Sequence, residues 1–260
     1  MAQPALEIRD LGVAYGRRPA LVGATFSVPR GVMLGVVGPN GSGKSTLLKA
    51  VLGLVSAERG EVRILGRKVD GRTRRLVGYV PQREDVDWNF PVRAFDVVMM
   101  GRVPSMKFLR RPTTRDKGLV WKSLETVGMA EFAQKPIGEF SGGQQQRIFL
   151  ARALAQEAEV LLLDEPVSGV DAPSQDEILN LLRGLQERGK SVVVTTHDLS
   201  SVAERFELAL LLNGRVVAFG PPGEVFTPEL LTETYGSNLM ILKAGDRTVA
   251  IEDGHTDHRG

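Results

Sequence analysis

Residues 38–45 read GPNGSGKS, and this stretch decides the fold of the chain. It fits the pattern G-x-x-x-x-G-K-[S/T] in full, and it lies between the apolar run VMLGVV at residues 32–37 and a helix predicted at residues 45–54. The apolar run is typical of a strand that is buried on both faces. Because glycines let several backbone N–H groups point at one spot and the helix N-terminus adds positive partial charge, the stretch predicts a phosphate-binding loop.

The side chains at the end of the loop suit the phosphates of ATP and their magnesium ion. Lys44 is placed to reach the β- and γ-phosphates, and the Ser45 hydroxyl is placed to bind Mg²⁺. ATP and Mg²⁺ are therefore the expected cofactors. The residues predicted to bind ATP in this segment are Gly38, Pro39, Asn40, Gly41, Ser42, Gly43, Lys44, Ser45 and Thr46.

A second apolar run ends in two acidic residues. Residues 160–163 read VLLL, and Asp164 and Glu165 follow directly. Such acids at the end of a buried strand, in a chain that already holds a phosphate-binding loop, predict a magnesium site and a base. We expect Asp164 to hold Mg²⁺ directly or through water and Glu165 to act as the general base for the attacking water.

Outward from this centre, strand patterns alternate with helix patterns along residues 5–243, which we predict to form one domain. Alternation of this kind indicates an α/β fold with a mostly parallel sheet. The N-terminal third contains short strands separated by turns, with a hairpin-like stretch at residues 60–80, and predicts an antiparallel β-subdomain. Helical segments between proline-containing loops predict an inserted helical subdomain at about residues 85–158. The polar residues 244–260 are expected to form a flexible tail.

The composition excludes several classes of protein. The 260 residues contain no cysteine, so disulfides, cysteine nucleophiles and thiolate metal sites are absent. The formal net charge of +2 gives no basic surface for nucleic acid, and no nucleic-acid partner is expected. The first ten residues lack the apolar core of a secretory signal. The longest apolar runs fall far short of the roughly 18–20 residues that span a bilayer, so we expect a protein that does not itself cross a membrane.

Further motifs give the chain a family resemblance. The segment FSGGQQQR at residues 140–147 resembles the signature motif of the ATP-binding cassette (ABC) ATPases, although Phe140 stands where leucine is commoner. Gln82 resembles the Q-loop glutamine of that family, residues 168–171 resemble its D-loop, and His197 resembles its switch histidine. Tyr15 lies where the family has an aromatic residue that stacks on adenine. These elements follow the family's order along nearly the whole chain.

The resemblance implies the P-loop NTPase fold of the ABC ATPases and a site shared by two copies of the chain. In the family, two subunits pair head to tail, and each ATP lies between one phosphate-binding loop and the partner's signature. The resemblance therefore implies that Gln82, Glu165 and His197 are catalytic and that Ser45, Gln82 and Asp164 bind Mg²⁺. It implies that Asp171 acts in the D-loop. The signature residues expected to act in trans are Ser141, Gly142, Gly143 and Gln144.

The same resemblance favours the ATP-hydrolysing subunit of an importer. The translation members of the family carry two cassettes in one chain and the DNA-repair members carry long insertions, whereas this chain has one cassette and no such insertion. The resemblance therefore implies a separate membrane permease as partner and a peripheral place on the cytoplasmic face of the membrane. The segment DWNFP at residues 87–91 and the segment VVMMGR at residues 97–102 resemble cassettes of the manganese, zinc and iron uptake transporters. An extracytoplasmic metal-binding protein is then an indirect partner, which selects the metal together with the permease.

Two alternatives stay open at this point. The first is the cassette of a siderophore, haem or cobalamin importer, and the second is a soluble ABC ATPase without a role in transport. Two local features also allow two interpretations. Trp88 and Phe90 either line a groove for a permease helix or belong to the core of the helical subdomain. His255 and His258 either bind a cation or lie in a solvated tail, which is the interpretation we favour.

Overall fold

A six-stranded sheet forms the centre of the molecule, for which a computed structural model describes residues 3–88, 90–106, 111–236, 239–244 and 247–252. The five strands β9, β3, β8, β7 and β6 run parallel, and only β10 at the edge is antiparallel. In spatial order the strands are β10 (Val216–Gly220), β9 (Leu208–Leu212), β3 (Met33–Val37), β8 (Ser191–Thr196), β7 (Val160–Asp164) and β6 (Val77–Val80). The apolar runs at residues 32–37 and 160–163 are thus confirmed as buried central strands.

The N-terminal part of the chain forms a second, antiparallel sheet of four strands. Its spatial order is β2 (Arg18–Val28), β1 (Leu6–Tyr15), β4 (Arg59–Ile64) and β5 (Arg67–Lys68). The stretch at residues 60–80, which looked like one hairpin, is divided between the two sheets. Gly66 turns the chain between β4 and β5, whereas β6 leaves the hairpin and pairs with β7 in the central sheet. In this edge strand, Val80 packs in one hydrophobic core and Val77 in the other, and sequence pattern alone does not choose the sheet that a short strand joins.

Eight helices surround the sheets within the described residues. Three of them, α2 (Ala94–Met100), α3 (Thr114–Thr126) and α4 (Gly142–Ala155), pack on one another in the region predicted to be helical. The helices that connect or follow the central strands are α1 (Lys44–Val51), α5 (Ala172–Glu187), α6 (Leu199–Arg205), α7 (Pro222–Val225) and α8 (Pro228–Tyr235). Helix α1 ends three residues earlier than predicted because Gly53, with φ of 62°, stops it. No helix in the described ranges is long and apolar enough to cross a bilayer.

The two faces of the central sheet bury two separate hydrophobic cores. On β3, Leu34 and Val36 face the core shared with α1 and the antiparallel sheet, whereas Met33 and Val37 face the core shared with α4, α5 and the helical region. Side chains alternate along a strand, so an all-apolar strand supplies both cores at once. The predicted α/β class, with a mostly parallel sheet, an antiparallel sheet and inserted helices, is confirmed.

A buried ion pair ties the three inserted helices together. Arg102, which is 4% exposed, follows α2 and donates to Asp116 in the first turn of α3 at 3.1 Å and to the carbonyl oxygen of Ala155 at the end of α4 at 2.7 Å. Asp116 also accepts the hydroxyl of Thr113 at 2.6 Å and its backbone N–H at 2.9 Å. The bond from the Thr113 hydroxyl, followed by those from its N–H and from Arg102, lowers the pKa of the Asp116 carboxyl group to about 2. A buried charge of this kind is tolerated because each partner is hydrogen-bonded.

Part of the expected tail is a strand. Strand β12 (Arg247–Glu252) pairs antiparallel with β11 (Leu239–Ala244), and this two-stranded sheet lies near α6 and α8. The flexible tail predicted from residue 244 onward therefore contains a paired strand, because the weakly patterned sequence TVAI still suits a two-stranded ribbon. His255 and His258 lie outside the described residues.

Candidate active site

The phosphate-binding loop joins β3 to α1, and its glycines occupy positions that other residues would not fit. Gly41 and Gly43 have φ of 76° and 99°, in the left-handed region that glycine tolerates. A Cβ atom on Gly38 would lie 2.0 Å from the carbonyl oxygen of Leu212 in β9. The loop is therefore pressed against the neighbouring strand and turns back over the start of α1. This arrangement aims backbone N–H groups at one place, as an anion site requires.

Two polar side chains of this loop are held inside it. Lys44 is 6% exposed, and its Nζ donates to the carbonyl oxygens of Gly38 at 2.8 Å and Pro39 at 3.1 Å. The Ser42 hydroxyl is buried, and among the described residues it has no hydrogen-bond partner. A buried hydroxyl without a partner costs free energy, which a ligand oxygen in the loop would offset. These two side chains therefore suit a bound phosphate.

The acidic pair lies at the carboxyl end of β7, beside β8. Asp164 is 1% exposed, and its Oδ1 accepts a hydrogen bond of 2.7 Å from the Thr195 hydroxyl in β8. The same hydroxyl oxygen accepts the backbone N–H of Glu165 at 2.9 Å. Glu165 has φ of 45°, a conformation that costs a non-glycine residue roughly 1–3 kcal/mol. Thr195 thus joins the two acidic residues and stabilises the strained backbone at Glu165.

The Glu165 carboxylate connects the predicted catalytic residues. His197 Nε2 lies 2.7 Å from Glu165 Oε1, and Gln82 Nε2 donates to Glu165 Oε2 at 3.4 Å. The hydrogen bond from His197 lowers the pKa of Glu165, and the charges of His197 and Lys44 lower it further, against the opposing effect of burial. The carboxylate is consequently ionised at neutral pH, in the form that accepts a proton.

A cleft of about 190 Å³ opens beside this carboxylate. Its walls come from the ends of β7 and β8 and from the loop before α5, and they comprise Glu165, Val167, Ser168, Gly169, Gln175, Thr196, His197 and Asp198. The structure therefore brings Gln82, Asp164, Glu165 and His197 together, with Lys44 close enough for its charge to act on Glu165. A cleft with an ionised carboxylate at the carboxyl edge of a parallel sheet suits chemistry on a bound phosphate.

The signature segment lies at the start of α4, beside the hydrophobic core that α4 shares with α5 and the helical region. Ser141 caps α4: its hydroxyl accepts the N–H of Gln144 at 3.4 Å, and Gln144 Oε1 accepts the N–H of Ser141 at 3.1 Å. Ser141 is exposed, and α4 packs on α2, α3 and β6, whereas α1 packs on β2 and β7. Gly142 and Gly143 form the first turn of α4. The segment is therefore a helix N-terminus, whose first N–H groups have no partner within the helix.

Two more predicted residues stand apart from the acidic pair. Tyr15 ends β1, and 52% of its surface is exposed, so its ring is available to a planar ligand. Asp171 caps α5, where its Oδ1 accepts the N–H of Ser174 at 3.0 Å, and this bond lowers the pKa of Asp171. The structure therefore shows Asp171 as the N-terminal cap of α5, and its action in the D-loop stays a prediction.

Thr195 is a residue of this site that reasoning from the sequence missed. It is fully buried in β8, directly opposite Asp164 in the strand register. The signal available in the sequence was a pair of threonines, Thr195 and Thr196, at the end of an otherwise apolar strand before His197. A buried hydroxyl needs a partner, and the neighbouring acidic pair is a suitable one.

Replacing Thr195 by valine should lower the rate of ATP hydrolysis roughly 10- to 100-fold. Valine keeps the shape of the side chain but leaves a buried carboxylate oxygen and the N–H of Glu165 without their partner, and a hydrogen bond to a charged group contributes about 1.5–3 kcal/mol. Steady-state phosphate release measures the effect. Thr195→Ser keeps the hydroxyl and should retain most of the rate; equal rates for the two variants would show that the bridge does not matter.

Comparison of the sequence with known proteins identifies the family of this chain. A sequence profile described as ABC transporter matches residues 21–168. The manganese transport system ATP-binding protein MntB of Bacillus subtilis is 46% identical over 253 residues, which cover 97% of this chain and 99% of that protein. The zinc transport system ATP-binding protein TroB of Treponema pallidum is 47% identical over 235 residues, which cover 90% of this chain and 88% of that protein.

The fold has a matching solved structure. A subunit of a metal-chelate type ABC transporter, in an inward-facing conformation, superposes with a TM-score of 0.84 at 30% sequence identity. The match covers 96% of this chain and 97% of that chain. The likeness therefore includes both sheets and the inserted helices.

Proposed function

This chain belongs to the ABC transporter family and is an ATP-hydrolysing transporter subunit, and from that membership we propose that it powers the uptake of manganese, zinc or iron through a separate membrane permease. The observation that carries the proposal is the similarity, along nearly the full length of both chains, to the manganese and zinc transport proteins. The metal cation is the cargo, and its choice belongs to the permease and an extracytoplasmic binding protein.

We infer the roles within the site from the family resemblance together with the contacts of these residues. Lys44, Ser42 and the loop N–H groups bind the phosphates of ATP. Ser45, Asp164 and Gln82 would hold Mg²⁺, since hydroxyl, carboxylate and amide oxygens are the ligands that this ion prefers. The ion, when bound, supplies positive charge that offsets the charge of the phosphates. Glu165 accepts the proton of the attacking water, and His197 orients that carboxylate and contacts the γ-phosphate.

Two copies of the chain complete the site. The exposed helix N-terminus at Ser141 has free N–H groups that suit the γ-phosphate bound by the partner copy, and the exposed ring of Tyr15 suits the adenine. ATP therefore lies between the phosphate-binding loop of one copy and the signature of the other, and its hydrolysis releases the pair. Asp171 lies in the loop that approaches the partner.

The permease docks on two adjoining grooves beside the helical region. The larger groove, about 510 Å³, is bordered by the exposed side chains of Leu54 and Met100, and the smaller, about 210 Å³, by Phe90 and Trp88. Met100 and Arg152 line both. Trp88 also packs on the ring of Phe149 at 5.0 Å, so it serves the core as well as the groove. Large apolar side chains exposed in one concave patch suit a docked helix. This contact keeps the chain at the cytoplasmic face of the membrane.

Leu54→Asp should weaken binding of the permease about tenfold or more, because a carboxylate would replace an exposed apolar side chain at the rim of the larger groove. Co-purification of the two subunits in detergent measures this. The matched control is Val22→Asp, which changes an apolar side chain of similar exposure on β2 that lines neither groove. Equal losses in both variants would contradict the docking surface.

Uptake by the reconstituted transporter tests whether a free metal ion is the cargo. Liposomes that contain the chain and its permease should accumulate Mn²⁺ or Zn²⁺ only with ATP. Likeness to the metal-chelate transporter subunit makes import of a chelated metal the second candidate, so the same liposomes are given a metal–siderophore chelate. Accumulation of the chelate alone would replace the proposed cargo. Recovery of the chain with ribosomes or DNA, and not with a membrane protein, would exclude a role in transport.

A further inference from the structure

The second glycine of the signature is packed against the start of α5 in the same chain. A Cβ atom on Gly143 would lie 2.8 Å from the Cβ of Ser174 and 3.0 Å from its Oγ. The side chain of Val170 would be 3.3 Å away. Because the Cβ of Ser174 is attached to the backbone, it cannot swing aside. The first turn of α4 therefore rests directly on residue 174.

The position of Ser174 is fixed from the other side by the D-loop. Its N–H donates to the Asp171 carboxylate at 3.0 Å, which places it in the first turn of α5. The loop before it is held at both ends: the N–H of Ser168 donates to the carbonyl oxygen of Glu165 at 3.2 Å, and Gln175 Nε2 donates to the carbonyl oxygen of Val170 at 2.7 Å. A continuous set of contacts thus runs from the Glu165 turn to residue 174.

A second contact holds the same two helices further along. Arg147 in α4 lies 3.3 Å from Glu177 in α5. Residues 174 and 177 are one turn apart on α5, and residues 143 and 147 are one turn apart on α4, so each contact supports the other. The two helix starts are joined over a full turn rather than at a single point.

We propose that Ser174 is a positioning residue that sets where the signature turn presents its N–H groups, and that it thereby links the Glu165 turn of one subunit to the ATP held by the partner. The proposal rests on the proposed function, in which the signature acts on the partner's γ-phosphate. A side chain larger than glycine at residue 143, or larger than serine at residue 174, pushes the signature turn off the phosphate. A displacement of about 1 Å costs up to about 100-fold in rate.

A compensating pair of substitutions tests this contact. Gly143→Ala should lower ATP hydrolysis about 10- to 100-fold. Adding Ser174→Gly should restore most of the loss, since it removes the two nearest of the three atoms that the new methyl group meets and leaves only the side chain of Val170 at 3.3 Å. If Gly143→Ala acts instead by blocking the phosphate directly, the double variant stays as slow as the single one, and the proposal is overturned. Full activity of Gly143→Ala also overturns it.

Two further variants keep the test informative if Gly143→Ala folds poorly. Ser174→Leu enlarges the contact from the other side and should lower kcat while ATP binding by the phosphate-binding loop is kept; an unchanged kcat overturns the proposal. The control Gly184→Ala adds a methyl group on the same helix where it meets no atom within 4 Å, and it should hydrolyse ATP normally. A slow control would show that α5 tolerates no change and overturns the specific role of Ser174. Failure of the wild-type chain to hydrolyse ATP would reject the proposed function instead.

Discussion

Glu165→Gln is expected to lower the rate of ATP hydrolysis by about 10²- to 10⁴-fold while ATP still binds. The carboxylate lies 2.7 Å from His197 and within reach of Gln82, and the lowered pKa keeps it ionised. Glutamine has the same shape, so it fits the same turn. However, its amide cannot accept the proton of the attacking water. The loss should therefore fall on kcat, which release of inorganic phosphate under saturating ATP measures.

The opposite end of the same strand supplies the control for this variant. Glu159 precedes β7, and its carboxylate pairs with Lys190 at 3.4 Å on the surface. Glu159→Gln makes the same chemical change without touching the cleft and should leave hydrolysis unchanged. Because hydrolysis is proposed to release the two copies, Glu165→Gln should also accumulate as an ATP-bound dimer in size-exclusion chromatography. Hydrolysis at the wild-type rate by Glu165→Gln would remove Glu165 from the role of base.

Lys44→Ala is expected to reduce ATP turnover by about 10²- to 10³-fold, the usual cost of losing one group that stabilises developing charge. The Lys44 ammonium is buried, is held against the loop carbonyls and already acts on the charge of Glu165. Binding of ATP should weaken less than turnover does, because the backbone N–H groups and the start of α1 remain. Fluorescence titration with a labelled nucleotide separates the two effects.

Lys49 gives a matched comparison for that change. It lies in the last turn of the same helix, α1, away from the loop. Lys49→Ala removes one positive charge from α1 as Lys44→Ala does, so equal losses in both variants would attribute the effect to the charge of the helix and not to the loop. Unchanged turnover in Lys44→Ala would exclude this side chain from the site.

Most of the architecture could be predicted from local patterns. The apolar runs before Gly38 and Asp164 marked central strands, because a strand covered on both faces consists mostly of apolar residues. Local patterns did not predict the position of a strand where that position depends on the strand with which it pairs. Strand β6 follows a hairpin in the sequence and yet pairs with β7, and β12 forms from a segment that looked like a tail. The place of β6 depends on pairing with residues far away in the chain, and that of β12 on pairing with β11, which the sequence pattern did not indicate.

The site residues also fall into two groups: those in contiguous sequence motifs, which could be predicted, and those brought together from distant parts of the chain, which could not. The loop at residues 38–45 and the acidic pair at residues 164 and 165 are contiguous motifs, and the chemistry of their side chains predicts a phosphate site directly. Thr195 is 31 residues from Asp164 and faces it only because β7 and β8 pair in one register. Ser174 reaches Gly143 only because α5 packs on α4.

The sequence by itself therefore determined the fold class, the phosphate-binding loop and the family, since each depends on a short stretch whose residues are adjacent in the chain. The tertiary structure alone decided which side chains hold that machinery in place: Thr195 on the acidic pair, Ser174 beneath the signature and the exposed rim at Leu54. The physical reason is that a hydrogen bond or a close contact depends on distances of a few tenths of an ångström between distant segments. Strand register and helix packing set those distances, and neither can be predicted from a short stretch of sequence.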